Sequence, residues 1–171
     1  MTTCCFTGHR QISAKEIPAL RDQLKCCIRA LVDAGVRRFR AGGARGFDRL
    51  AAEAVIELRH EYADRFHLCL ELVLPCHGQS DPWPLEEQLA YRRILAEADR
   101  SFVLQDDYSL GCMHRRNLAL LENCDVCVCY RAHSEGGTAY TVAQAHKRNI
   151  PVINLACNAQ IEMQPDLFTE N

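Results

Sequence analysis

Val36-Arg37-Arg38-Phe39-Arg40-Ala41-Gly42-Gly43-Ala44-Arg45-Gly46-Phe47-Asp48 passes from a strand-like run, through a turn bearing three glycines, into a helix-like run over 46–62. That helix would bury Phe47, Leu50, Ala51, Ala54 and Leu58. Glycines at such a junction let backbone N–H groups approach an anion, and the helix N-terminus adds unpaired donors and partial positive charge. A second junction of the same kind, Glu135-Gly136-Gly137-Thr138, follows an apolar run at 125–130. A single Gly-Gly turn is also an ordinary tight connection; two in matched context point to an anionic, nucleotide-like ligand.

Outward from residue 36 the pattern repeats. Short apolar runs at 3–7, 36–41, 67–74, 100–104, 125–130 and 150–155 alternate with helical runs at 17–34, 46–62, 85–98 and 110–123, and with a last helix opened by Thr138. This alternation predicts a parallel sheet with crossover helices. In the first helix Leu20, Leu24, Cys27, Ile28 and Leu31 share a face, Gly35 ends it, and Ser13-x-x-Glu16 resembles a capping box, although Pro18 favours a later start. The early proline at 151 suggests an edge strand or a strand start. Ligands of open parallel sheets bind beyond the carboxyl ends of the strands. Thr7-Gly8-His9-Arg10, both glycine turns, the loop 75–84 and the segment 105–110 all follow strands and so collect at one rim.

The 171 residues suit a single domain over 1–157 with a polar tail at 158–171. The net charge of −2, with charges spread along the chain, argues against nucleic acid and favours a small ligand. No basic stretch leads into a long apolar core and no run is long enough to span a membrane, so the expectation is a soluble cytoplasmic protein. Eleven cysteines without a signal peptide read as reduced thiols, mostly small buried apolar residues. Cys124 and Cys127, if both strand-borne, point to opposite sides, as do Cys4 and Cys5. Cys76-His77 and Cys112-x-His114 stay open as metal pairs, but no metal or other cofactor is assigned.

In order and spacing, Phe6-Thr7-Gly8-His9-Arg10, Gly42-Gly43-Ala44-x-Gly46-x-Asp48 with Ala51-Ala52-Glu53, Trp83, Tyr91, Arg116-Asn117, the Asp125 strand and Gly136-Gly137-Thr138 with Thr141 resemble the YpsA-like branch of the SLOG superfamily. The resemblance implies a three-layer, Rossmann-like open sheet with helices on both faces, self-association, and a nucleotide pocket at the strand ends. Met113-His114-Arg115-Arg116-Asn117 looks like the helix that carries the catalytic arginine of the related LOG-type phosphoribohydrolases, with Arg116 on that position. Their glycine motif continues into a glutamate pair, where this chain has Ala139, Tyr140 and Thr141. An oxocarbenium-like transition state needs a nearby anion. The departure therefore favours binding over hydrolysis, and leaves Glu135 or Asp48 as the only candidate carboxylates beside Arg116. The superfamily also has a DNA-processing branch that handles single strands.

Two readings attach to most of the site residues. Gly136, Gly137 and Thr138 would hold a phosphate, or Thr138 would simply cap the helix. Gly42, Gly43 and Gly46 would take a second phosphate or a ribose. Asp48 would accept a ribose hydroxyl, or only offset the macrodipole. Gly8 lies beside His9 and Arg10, which would meet phosphate or stay solvated, and Arg116 and Asn117 would contact the ligand or pair at the surface. Trp83 would stack on a base while Gln79 reads its edge, or would pack on the 85–98 helix.

Overall fold

A computed structural model describes residues 2–156; the expected tail at 158–171 and Cys157 lie outside them. Strands β1 (Thr2–Gly8), β2 (Val36–Ala41), β3 (Cys69–Leu74), β4 (Arg100–Val103), β5 (Val126–Tyr130) and β6 (Val152–Asn154) form one sheet in the order β4-β3-β2-β1-β5-β6. Every pairing is parallel. This is the expected Rossmann-like sheet. β1 is central and buried on both faces, which is why Cys4-Cys5-Phe6 reads as continuous rather than alternating apolar sequence.

Helices α1 (Ile17–Asp33), α2 (Phe47–Glu61) and α3 (Leu85–Glu97) cover one face, and α4 (Cys112–Leu120) and α5 (Gly136–Lys147) the other. The larger core packs Leu24 and Ile28 of α1 and Phe47 and Val55 of α2 against Phe6, Phe39 and Leu72 of the sheet. Phe6 stacks on Phe39 with centroids 6.0 Å apart. α1 and α2 are also laced by Arg21–Glu53, Lys25–Glu57 and Arg29–Glu61, one pair per turn. The smaller core, under α4 and α5, holds Cys5, Cys127, Cys129, Leu120 and Val142.

Several local expectations change. No capping box forms: Glu16 is the N-cap of α1, and its carboxylate accepts the Tyr130 hydroxyl at 2.9 Å instead. β3 starts at Cys69, not 67, and α4 is shorter than the 110–123 run, because Gly111 in the left-handed region sets its start. Cys4 and Cys5 do face opposite cores. Cys124 and Cys127, expected on opposite sides, share the smaller core with Cys5. The reason is that Cys124 precedes β5, beside Asn123 at φ 52°, so strand alternation does not reach it. Burial pushes the Cys27 thiol to about 11 and Cys129 to about 12, so both stay protonated near neutrality. No helix among the described residues is long and apolar enough to cross a membrane.

Candidate ligand cleft at the strand ends

From β1 the chain steps outward through β2 and β3 to β4, then returns to place β5 and β6 on the other side of β1. The loops after β1 and β5 therefore leave in opposite directions and open a crevice at the carboxyl ends. A cleft of about 710 Å³ lies there, within the usual range for a small-molecule site. Gly8, His9 and Arg10 line it from β1, Ala44, Arg45 and Asp48 from the first glycine turn, Met113, His114, Arg116 and Asn117 from α4, and His133, Gly137 and Thr138 from beyond β5.

The first glycine turn is occupied by its own chain. Asp48 Oδ2 accepts the amides of Gly42 at 3.1 Å and Ala44 at 3.4 Å, and stands 3.6 Å from Arg116 Nη1. Arg116 donates from Nη1 to the Gly42 carbonyl and from Nε to Asn117 Oδ1 at 2.9 Å. The first amide of α2, on Phe47, is taken by the carbonyl of His9 at 3.1 Å. Gly46 is required there: its φ is 72°, and a Cβ would lie 2.5 Å from the carbonyl oxygens of His9 and Arg10. Gly42 and Gly43 sit behind the cleft rather than on its lining.

Asp48 and Arg116 are only 4% and 5% exposed. Arg116 thus pairs with a buried carboxylate, not with one at the surface. Burial pushes the Asp48 carboxyl above the usual carboxylate range, with Arg116 and the two amides pulling against that rise. Burial likewise lowers Arg116, and Asp48 counters it. Among the described residues Asp48 Oδ1 and Arg116 Nη2 have no hydrogen-bond partner, although both residues line the cleft. The pair is pre-positioned, with one acceptor and one donor group unspent.

The second glycine turn is different. α5 opens at Gly136, two residues earlier than expected, with Glu135 extended as the N-cap and making no side-chain cap. Thr138 is therefore in the first turn rather than at the cap; it is 7% exposed and lines the cleft. The amides of Gly136, Gly137 and Thr138 find no acceptor among the described residues. Gly137 tolerates its neighbour easily, Asn117 Nδ2 lying 3.5 Å from where a Cβ would be.

His9 bridges the two diverging loops. Its Nε2 accepts the Ala132 amide at 2.9 Å, and its ring stacks on His133 with centroids 3.8 Å apart. Burial first, then His133, lowers His9 below the ordinary imidazole value of 6.5. Among the described residues Arg10 and Arg45 make no ion pair or hydrogen bond, and Asp48 is the only acidic one lining the cleft. The expectation that the chain has no basic cluster thus fails locally: residues scattered in sequence converge at the rim and give a positive cleft in a protein of net charge −2. Arg45 and His133 were not singled out in the sequence, and His114 was considered only as part of a metal pair. Arg45 sits inside the first glycine motif and His133 just before the second, and that adjacency was the available signal.

Other candidates stand apart. Gln79 Nε2 donates to the Gly43 carbonyl at 3.3 Å and to the Tyr91 hydroxyl at 3.2 Å, while Trp83 packs edge-on to Tyr91 with centroids 5.5 Å apart. These residues brace the back of the first turn against α3 and do not line the cleft. Glu135 is exposed and also outside it. Cys76 and Cys112 are buried neighbours, but His77 turns toward Asp106 and His114 toward Tyr140. Among the described residues no three His, Cys, Asp or Glu side chains are grouped to hold a metal. The cleft offers fixed cations and open amides, while its one carboxylate is held by two amides and an arginine.

The pattern of the YspA SLOG family matches residues 4–156. UPF0398 proteins are among the curated relatives: one from Bacillus velezensis is 26% identical over 132 residues, 75% of this chain and 71% of its own. Another, from Brevibacillus brevis, is 33% identical over 112 residues, 62% of this chain and 56% of its own. Among solved structures, DNA processing protein A (DprA) from Streptococcus pneumoniae superposes with a TM-score of 0.63 at 15% identity, over 90% of this chain and 50% of that one. DprA from Helicobacter pylori, described for its single-stranded DNA binding mode, gives 0.62 at 18% identity, over 90% and 64%. TM1055 gives 0.58 at 21% identity, over 90% and 73%. At these identities the structures speak to the fold alone; the family match spans nearly all the described residues, and the chain belongs to the YpsA family of SLOG proteins.

Proposed function

We propose that this protein binds a nucleotide or nucleotide-derived ligand in the switch-point cleft, with binding rather than turnover as its output. The observation that carries this reading is the second glycine turn: three amides without acceptors, at a helix N-terminus, beside a cleft whose unpaired side chains are basic. A phosphate would take the amides of Gly136, Gly137 and Thr138. The buried pair would offer Asp48 Oδ1 to a ribose hydroxyl and Arg116 Nη2 to an oxygen. Hydrolysis is disfavoured, because Asp48 is held by Arg116 and two amides and Glu135 lies off the cleft.

The test is thermal shift of the purified protein with AMP, ADP, GDP, ADP-ribose and NAD, together with chromatography of the nucleotide afterwards. Stabilisation by at least one of them, recovered intact, is expected. No stabilisation by any would overturn the reading, and release of free base or phosphate would replace binding with catalysis.

Single-stranded nucleic acid is the second reading. Arg10 and Arg45, unpaired at the cleft, favour it, and so does the fold's likeness to a DprA described for single-stranded DNA binding. It predicts oligonucleotide affinity that falls steeply with salt.

A further inference from the structure

Away from the cleft, toward the amino ends of the strands, a second carboxylate is buried in the sheet. Alternation along β3 sends Leu70 and Leu72 to the larger core and Val73 to the smaller one, so Glu71 faces the side of α4 and α5. Glu71 is only 2% exposed. A buried carboxylate needs a cation, and Arg40 of β2 supplies one. Arg40 Nε at 3.2 Å and Nη2 at 3.0 Å both donate to Glu71 Oε2. Its Nη1 donates to the Glu122 carbonyl at 2.6 Å, just past the end of α4, so this arginine is tied into the fold on two sides.

Two more arginines reach the same carboxylate. Arg38 Nε stands 3.2 Å from Glu71 Oε1, and Arg100 Nη1 stands 3.8 Å from that same oxygen. The Arg38 contact is out of line for its N–H, and among the described residues the buried Nε has no hydrogen-bond partner. Glu71 is also the only acidic side chain among the described residues that pairs with Arg38 or Arg100. Asp99, next in the chain to Arg100, is taken by Arg59, His67 and the Leu70 amide. Three guanidinium groups thus surround one carboxylate, an excess of two positive charges. A desolvated N–H without an acceptor is costly, and the surplus cations repel each other. The face is open: the register of β4 on β3 sets Arg100 beside Glu71 and Phe102 beside Val73, and both β4 residues are exposed.

The spacing and charge indicate what fits. Because both guanidinium groups meet one oxygen, Arg38 Nε and Arg100 Nη1 are at most about 7 Å apart. Alternate residues of an extended chain stand about 6.5–7 Å apart on the same side. An extended segment with acidic residues at i and i+2 therefore offers two carboxylates at this spacing, and their two single charges cancel the excess. A phosphate would concentrate up to two negative charges at one centre beside Glu71, so the resident carboxylate favours separated monoanions.

We infer that this face docks an acidic, extended segment of a partner protein. One carboxylate takes the Arg38 fork and its unpaired Nε, the next but one takes Arg100, and an apolar neighbour covers Phe102. The surface is separate from the ligand cleft and stands whether or not a nucleotide binds.

The test is fluorescence anisotropy of two labelled synthetic peptides titrated with the full chain at low salt. One carries two glutamates on alternate residues among threonines, with a valine at each end; the other has the same composition with the glutamates adjacent. The alternating peptide is expected to bind at least about fivefold more tightly, with an affinity that falls as salt rises. Arg38→Gln and Arg100→Gln should each weaken it about tenfold, through loss of a charge-assisted fork. Arg100 is 62% exposed, so Arg100→Gln should stay folded by circular dichroism and carries the test even where Arg38→Gln does not fold. No binding, equal binding of the two peptides, or binding indifferent to Arg100→Gln would overturn the proposal. So would binding lost in Arg10→Ala or Arg45→Ala and kept in Arg100→Gln, which would move the peptide to the cleft. An oligothymidylate that binds more tightly than the peptide, and is released by the Arg100 change, would assign the face to nucleic acid instead.

Discussion

Gly42→Ala tests whether the buried Asp48–Arg116 pair organises the rim. Gly42 does not have a positive φ, so alanine is compatible with its backbone. By itself the change should stabilise the fold by about 0.4–1 kcal/mol, through a less flexible unfolded chain. The added methyl, however, would lie 2.5 Å from Arg116 Cζ and 2.6 Å from Asp48 Oδ2, and closer still to Nη1. Arg116 would have to leave the Gly42 carbonyl and Asp48 together. Separating a buried ion pair costs about 3–5 kcal/mol when one charge stays buried without its partner. Arg116 borders an open cleft and can recover some hydration, and the glycine effect offsets a little more. The expected net loss is about 2–4 kcal/mol, or roughly 5–15 °C in Tm for a chain of this size. Thermal unfolding by circular dichroism measures it, with a double-mutant cycle to locate the cause. In an Arg116→Ala background the cost of Gly42→Ala should fall by at least half. An unchanged or raised Tm, or costs that simply add, would refute the reasoning.

Arg10 and Arg45 line the cleft and make no ion pair or hydrogen bond among the described residues, so Arg10→Ala and Arg45→Ala should each change Tm little while weakening any nucleotide that binds by about tenfold and flattening its salt dependence. Calorimetric titration at two salt concentrations checks this, and unaltered affinity in both variants would remove them from the site. His9 must be unprotonated at Nε2 to accept the Ala132 amide, and its folded pKa lies below the ordinary 6.5. The unfolded state therefore takes up the proton first. The stability that neutral His9 contributes is complete above 6.5 and is lost as the pH falls below 6.5 through the lowered folded value. Tm should fall more steeply from pH 7.5 to 5.5 in the wild type than in His9→Gln; equal slopes would show that His9 does not couple the two loops.

Much of the architecture can be read from the chain alone, because it rests on local physics. Whether a run is buried on one stripe or on both faces shows in its apolar spacing, and Gly35, at positive φ, ends the first helix whatever lies elsewhere. The collection of unusual residues at one rim is equally legible, since a parallel sheet puts every strand-to-helix loop at the same end. Where expectations about particular side chains failed, a partner elsewhere in the chain had intervened. Glu16 was drawn to Tyr130 rather than to a cap, and Gln79 and Trp83 were drawn to Tyr91 rather than to the cleft.

The two glycine turns mark the boundary most clearly. In sequence they are alike, and each signals a place where backbone amides can meet an anion. In the folded chain the first has met its anion already, Asp48, and is locked by Arg116 from 74 residues away and by the His9 carbonyl, while the second keeps its amides open to the cleft. The sequence by itself determined that the chain forms a parallel sheet with glycine junctions along one rim, because turns and periodicity act over a few residues. Tertiary structure alone decided which junction is free and that the rim is positive, because hydrogen-bond satisfaction and charge convergence depend on groups brought together from across the chain.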